Sequence, residues 1–168
     1  IAELHTNHFK YMISVWSNPD GIVGRALKAM TNGVIPGRAY PPWMDVFNPA
    51  VRALRWQYMD AAFYRIGTDA WWQDATEPGD DGNSVSGVNC YAGSANRVRN
   101  AYPLFASQAT YEGQRATDTG KRVTILSRSA YPGQQRYAAA AWSGDINGDW
   151  LTFARQIPAG LNFSLTGL

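Results

Sequence analysis

The sequence predicts an α/β fold in which helices connect the strands of a parallel sheet. Segments rich in aromatic and β-branched residues alternate along the chain with segments whose apolar residues recur at helical spacing. The predicted order is strand, helix, strand, helix, strand, short strand and helix. Strands that alternate with helices in this way normally lie parallel and are joined by right-handed crossovers. A chain of 168 residues is also long enough to bury a hydrophobic core around such a sheet.

The N-terminal part is predicted to contain a helix end, a strand and a long loop. Residues 1–8 resemble the tail of a helix, and residues 9–16 (FKYMISVW) are typical of a buried strand. Residues 17–47 contain too many glycines and prolines for one regular element, although 24–30 can hold one or two helical turns. A long loop of this kind is usually functional or disordered, and buried apolar residues favour the first. The apolar residues that we expect to be buried here are Trp43, Met44 and Phe47.

The second helix and the second strand follow directly. Asn48 is a typical helix cap, and Pro49 occupies the first helical position, where its missing N–H costs nothing. Apolar residues then recur at helical spacing until Gly67 ends the helix. The next strand is centred on Trp71 and delivers the carboxylate of Asp74 at its end.

A glycine-rich turn and a long helix come next. Asp80 and Asp81 lie in the acidic turn and are predicted to be solvated. Ser94 can cap a helix that runs towards Gly120, and Pro103 is expected to kink this helix or to divide it in two.

The C-terminal part is predicted to contain two strands and a helix. Residues 122–127 (RVTILS) form a strand by β-propensity. Residues 137–142 are ambiguous because their alanines favour a helix, and we interpret their end as a short strand. Asn147 or Asp149 then caps the last helix. The residues expected to interrupt that helix are Pro158 and Gly160.

Polar side chains follow three of the predicted strands. The carboxyl ends of parallel strands meet at one edge of a sheet, where the chemistry of such folds collects. Asp74, Arg128 and Asp145 all fall at such ends. A pair of carboxylates among tryptophans suits glycosidic bond cleavage, in which one group attacks the sugar and the other protonates the leaving oxygen. On the residues alone, a strand-end aspartate that only caps the next element remains an open alternative.

Composition and spacing exclude several other functions. A net charge of +2 with 17% charged residues gives no basic field of the kind that nucleic-acid-binding proteins carry. No apolar run reaches the roughly 18 residues that a membrane-spanning helix needs. Cys90 is the single cysteine, so an internal disulfide is excluded. We therefore expect neither nucleic acid nor a membrane as a partner.

Metal sites are also not predicted. His5 and His8 have no further histidine or cysteine cluster beside them, so they are expected to be solvated or capping residues rather than zinc ligands. Residues 145–149 resemble the start of a calcium loop, but Trp150 replaces the required glycine and Gln156 replaces the final glutamate.

Three segments resemble glycoside hydrolase family 31, the retaining α-glucosidases and α-xylosidases built on a (β/α)8 TIM barrel. These segments are WWQDATEP at 71–78, SRSAYPGQQRYAAAAWSGD at 127–145 and QIPAGLNFSLTGL at 156–168. Together with ISVW at 13–16, the resemblance extends over nearly the whole chain. It implies that residues 1–168 are part of one catalytic domain, covering roughly barrel strands 3 to 6 with their helices. The remainder of the barrel is then a missing partner, and the isolated chain is expected to be inactive and prone to aggregation.

The resemblance also implies roles for individual residues. Asp74 corresponds to the nucleophile at the end of the fourth barrel strand, and Asp145 to the general acid/base after the sixth. Glu77 matches the second acid of the motif, for which a supporting role is expected. The residues implied to contact the sugar are Trp72, Arg128 and Trp142. No metal or organic cofactor is implied.

The wording of the motifs is more similar to that of bacterial α-xylosidases than to that of α-glucosidases. A pocket selective for xylose must fill the space of the glucose hydroxymethyl group, and the adjacent Trp71 and Trp72 are expected to help fill it. The expected reaction is release of α-linked xylose from xyloglucan oligosaccharides. The alternatives are an α-glucosidase of the same family and a non-catalytic, aromatic-lined carbohydrate-binding fragment.

Overall fold

The structure is a computed structural model that describes residues 1–37, 41–78 and 85–168. In chain order its strands are β1 (Met12–Trp16), β2 (Ala70–Asp74), β3 (Asn89–Cys90), β4 (Gly93–Ser94), β5 (Ile125–Ser127) and β6 (Ala139–Ala141). Strands β1, β2, β5 and β6 form one sheet in that order, and every neighbouring pair is parallel. Strands β3 and β4 pair separately as an antiparallel hairpin. The predicted parallel sheet is therefore confirmed, although the strands are shorter than the predicted segments.

Helices connect these strands. They are α1 (Ala2–Thr6), α2 (Gly21–Ala29), α3 (Pro49–Met59), α4 (Ala95–Val98), α5 (Tyr102–Thr117) and α6 (Trp150–Leu165). A π-helical turn at Asp60–Tyr64 extends α3, and 3-10 turns at Arg99–Ala101 and Gln134–Tyr137 precede α5 and β6. The predicted cap of α3 is confirmed, because the Asn48 side chain accepts a hydrogen bond from the Ala50 amide at 3.0 Å. Within the described residues no helix is both long enough and apolar enough to cross a bilayer.

The two faces of β2 have different surroundings. Successive side chains of a strand point to opposite faces. Trp71 and Gln73 are fully buried and point towards α5, whose Gln114 and Thr110 side chains hydrogen-bond to them. Trp72 and Asp74 occupy the opposite face. Among the residues that the structure describes, α3 and α5 pack on the first face and Trp72 on the second face is 40% exposed, so the second face is available for a site.

A second core lies under the long loop between β1 and α3. Trp43, Met44 and Phe47 are buried there, as predicted. The ring of Tyr102 makes edge-on contacts with the rings of Trp43 and Phe47, at centroid distances of 6.1 Å in both cases. The Met44 amide donates to the Ser17 carbonyl at 3.0 Å, so the loop is fastened to the end of β1.

The helices differ from the predicted elements at one of two prolines. The expected interruption of the last helix is wrong, because α6 continues through Pro158. A proline removes only one backbone hydrogen bond, and the N-terminus of α6 is capped by Asp149, which accepts from the Thr152 amide at 2.7 Å. The long helix predicted after Ser94 is divided as expected, with Pro103 in the first turn of α5. Asp80 and Asp81 lie outside the described residues.

Candidate active site

Asp74 lies at the carboxyl end of β2, where the sheet opens towards its uncovered face. Its Oδ1 atom accepts a hydrogen bond from the Ala75 amide at 2.7 Å and lies 3.2 Å from Nη1 of Arg128. Both donors act on the same oxygen. Within residues 1–37, 41–78 and 85–168 neither of these donors contacts the second carboxylate oxygen, Oδ2, which is the atom left to meet an incoming group.

The backbone turns sharply directly after Asp74. Ala75 has a φ of +49°, a left-handed conformation that costs a residue with a side chain about 1–3 kcal/mol. Ala75 and Thr76 are both buried, so the surrounding structure holds this conformation in place. Strain of this kind at the end of a strand is typical of functional sites.

Arg128 joins two carboxylates across the site. Its Nε atom donates to both oxygens of Glu77, at 3.2 and 3.0 Å, and its Nη2 atom donates to Oε2 at 2.7 Å. One edge of the planar guanidinium is thus occupied by Glu77, and Nη1 points to Asp74. Glu77, whose supporting role was expected, fastens the turn after β2 to the loop after β5 through this pair.

Aromatic side chains lie on the same face of the sheet as Asp74. Trp72 and Trp142 meet edge to face at a centroid distance of 5.8 Å, and Trp72 is 40% exposed. Trp16 is the register partner of Asp74 in β1 and is 52% exposed. Neighbouring residues in register present their side chains on the same face of a sheet. Trp16 was not singled out from the sequence, although its position at the end of the first predicted strand was a usable signal.

Trp71 does not belong to this group. It is fully buried on the opposite face of β2, and its indole N–H donates to Gln114 Oε1 at 2.9 Å. Its ring packs against Trp56 and Tyr64. The expectation that Trp71 helps to fill the sugar pocket beside Trp72 is therefore wrong, because adjacent strand residues point in opposite directions.

Asp145 lies in the loop between β6 and α6, and its side chain is exposed. The neighbouring Gly144 runs beside Arg128, since a Cβ atom built on Gly144 would lie 3.8 Å from Arg128 Cγ and 4.0 Å from Cδ. The loop that carries Asp145 therefore passes beside the arginine that contacts Asp74.

An ionic cluster lies at the other end of the sheet. His5 Nε2 lies 2.7 Å from Asp69 Oδ2, and Lys121 Nζ lies 3.1 Å from Asp69 Oδ1. Burial raises the pKa of the Asp69 carboxyl, but hydrogen bonds from the Tyr11 amide, His5 and Lys121 outweigh it and hold the pKa well below its ordinary value. His5 is thus bound to a carboxylate, rather than solvated. In the part of the chain that the structure describes, no three histidine, cysteine or acidic side chains form a group that could hold a metal ion.

Comparisons with known proteins agree on one family. The model of the glycosyl hydrolases family 31 TIM-barrel domain matches residues 1–168. An α-xylosidase of Saccharolobus solfataricus is 39% identical over 100% of this chain and 23% of its own length. The crystal structure of an α-xylosidase from Xanthomonas citri superimposes with a TM-score of 0.87 at 30% identity, covering 100% of this chain and 20% of that one. An α-xylosidase from a soil metagenome, complexed with xylose, gives a TM-score of 0.89 at 27% identity over 99% of this chain and 26% of that one. The chain thus spans about a quarter or less of the length of these relatives.

Proposed function

The chain belongs to glycoside hydrolase family 31, and on that premise we propose that it is part of a retaining, exo-acting α-xylosidase. The proposed enzyme releases α-linked xylose from the non-reducing end of xyloglucan oligosaccharides. The observation that carries the proposal is the carboxylate of Asp74, held by Arg128 at the carboxyl end of β2 on the same face as Trp72.

The proposed reaction is a double displacement. Asp74 attacks the anomeric carbon through Oδ2, because Oδ1 is already held by the Ala75 amide and by Arg128. Asp145 donates a proton to the leaving oxygen and then, as a base, takes a proton from the water that releases the sugar. In a retaining enzyme the two carboxyl groups stand about 5–5.5 Å apart, so that the nucleophile reaches the sugar directly. The exposed Asp145 on a loop beside Arg128 is suited to meet both substrate and water.

Substrate binding is assigned to the aromatic side chains and to Arg128. The flat, apolar face of a pyranose ring packs well on aromatic rings, and Trp16, Trp72 and Trp142 offer such surfaces around Asp74. Arg128 hydrogen-bonds the sugar hydroxyls. With Trp71 assigned to the core, Trp72 alone of the two adjacent tryptophans fills the space that a hydroxymethyl group of glucose would need.

The preference for xylose is tested by comparing aryl α-xyloside with aryl α-glucoside as substrates of the complete enzyme. Rejection of one extra substituent by a filled pocket corresponds to a preference of at least about 10-fold in kcat/KM. A preference for the glucoside would overturn the substrate assignment and favour an α-glucosidase.

Catalysis is distinguished from sugar binding alone by Asp74→Asn in the complete enzyme. This substitution keeps the size of the side chain but removes the nucleophile, so turnover is expected to be abolished while xylose binding is retained. Unchanged turnover would show that Asp74 is not the nucleophile. The absence of any turnover by the unaltered enzyme would favour the carbohydrate-binding alternative.

A further inference from the structure

A group of three hydroxyls, two of them buried, joins the two loops of the site. Thr76 Oγ1 lies 2.7 Å from Ser129 Oγ and 3.4 Å from Ser127 Oγ. Ser129 Oγ in turn donates to the Thr76 carbonyl at 3.3 Å, and Ser127 Oγ donates to the Ser129 carbonyl at 2.9 Å. We call Thr76, Ser127 and Ser129 the hydroxyl clamp. Thr76 and Ser127 are fully buried and Ser129 is half-buried, so water has little access to these bonds.

A buried amide connects the hydroxyl clamp to α5. Gln134 Nε2 donates to the Ser129 carbonyl at 3.2 Å and to Ser107 Oγ at 3.1 Å. Ser107 Oγ donates to Gln73 Oε1 at 3.2 Å. Gln73 lies immediately before Asp74 in β2. Hydrogen bonds thus connect the clamp, through Gln134 and Ser107, to the strand that carries the proposed nucleophile.

The clamp residues are sequence neighbours of the charged residues of the site. Thr76 lies between Asp74 and Glu77, whereas Ser127 and Ser129 lie on either side of Arg128. The clamp therefore fixes the separation between the turn with the two carboxylates and the loop with the guanidinium. Arg128 must satisfy both carboxylates at once, at distances between 2.7 and 3.2 Å.

We propose that Thr76 is a positioning residue that acts on the reaction through Arg128, by holding the loop after β5 against the turn after β2. The inference rests on the proposed glycosidase function and adds to it a residue that does not touch the substrate. Misplacement of a positioned group by about 1 Å can lower a rate by about 100-fold. Removal of one hydroxyl leaves the other hydrogen bonds of the clamp in place, so the expected loss of rate is smaller than this.

The test compares Thr76→Val with Thr76→Ser in the complete enzyme. Valine keeps the shape of the side chain and removes the hydroxyl, whereas serine keeps the hydroxyl and removes a methyl group. We expect kcat/KM for an aryl α-xyloside to fall about 10-fold or more for Thr76→Val and to stay within about 2-fold for Thr76→Ser. Ser129→Ala, which removes only one small hydroxyl, is expected to give a loss similar to that of Thr76→Val and serves if the valine variant does not fold.

A double-mutant cycle with Arg128→Lys separates positioning from general stability. If Thr76 acts through Arg128, the loss of kcat/KM from Thr76→Val largely disappears in the Arg128→Lys background, while its effect on Tm persists. Equal fold-losses of kcat/KM in both backgrounds would overturn the inference, as would full activity of both Thr76→Val and Ser129→Ala. Failure of the unaltered enzyme to hydrolyse any α-glycoside would instead refute the proposed function, so the two failures are distinguishable.

Discussion

Glu77→Gln tests the role of the Glu77–Arg128 pair. Glutamine keeps one acceptor oxygen but loses the negative charge, and it places an amide N–H₂ group where Arg128 needs an acceptor. The side chains of Arg128 and Glu77 are only 22% and 30% exposed, so the pair is partly shielded from water. Hydrogen bonds to charged groups contribute about 1.5–3 kcal/mol. Because one acceptor remains, we take the lower end, about 1.5 kcal/mol, which corresponds to about a 10-fold loss of rate.

The measurement is kcat/KM of the complete enzyme for an aryl α-xyloside, with Tm recorded in parallel. Glu112→Gln is a matched control, since Glu112 is exposed on α5 and accepts a hydrogen bond from Gln108 at 2.9 Å. We expect the control to stay within about 2-fold of the unaltered enzyme. If Glu77→Gln retained full kcat/KM, the conclusion that Glu77 orients Arg128 would be refuted.

Three further predictions concern the stability of the fold and the activity of the isolated chain. Gly113→Ala should lower the free energy of unfolding by about 1–3 kcal/mol, since the added Cβ atom would overlap the ring of Trp56. Gly160→Ala, on the open face of α6, is the control and should be neutral or stabilising. Equal denaturation midpoints of the two variants would contradict this prediction. Asp69→Asn should destabilise the fold at pH 7. A carboxyl whose pKa is lowered on folding contributes stability above its ordinary pKa of about 3.9, so the difference between wild type and variant should shrink as the pH falls below about 4. The isolated chain should not hydrolyse an aryl α-xyloside; activity of that chain alone would show that the rest of the barrel is dispensable.

Much of the fold was predictable because short stretches of sequence indicate most of its strands and helices. Runs of β-branched and aromatic residues marked β1, β2 and β5, and the Asn48–Pro49 pair marked the start of α3. The prediction failed at α6, where two residues with low helix propensity did not interrupt the helix. Helix propensity is a weak preference, and the capped first turn and the neighbouring hydrogen bonds outweigh it here.

The site was predictable only in part. The position of Asp74 at the end of a strand was predictable because apolar residues precede it, and its catalytic role stays a prediction. The pairing of Glu77 with Arg128 was not, because these residues are 51 positions apart and only the register of β2 with β5 brings them together. The two adjacent tryptophans, Trp71 and Trp72, could not be told apart, since alternation separates them without indicating which face carries the helices.

The division of β2 into two faces has a consequence for how proteins with this segment can diversify. On the proposed function, substitutions at Trp72 would alter the shape offered to a sugar on the face opposite α5, whereas substitutions at Trp71 or Gln73 would change the packing against α5. The proposed substrate contact and the packing against α5 thus fall at adjacent positions of a single five-residue segment. If the proposed function holds, position 72 can vary with the sugar, while Asp74 is kept for catalysis and Trp71 and Gln73 are kept for packing.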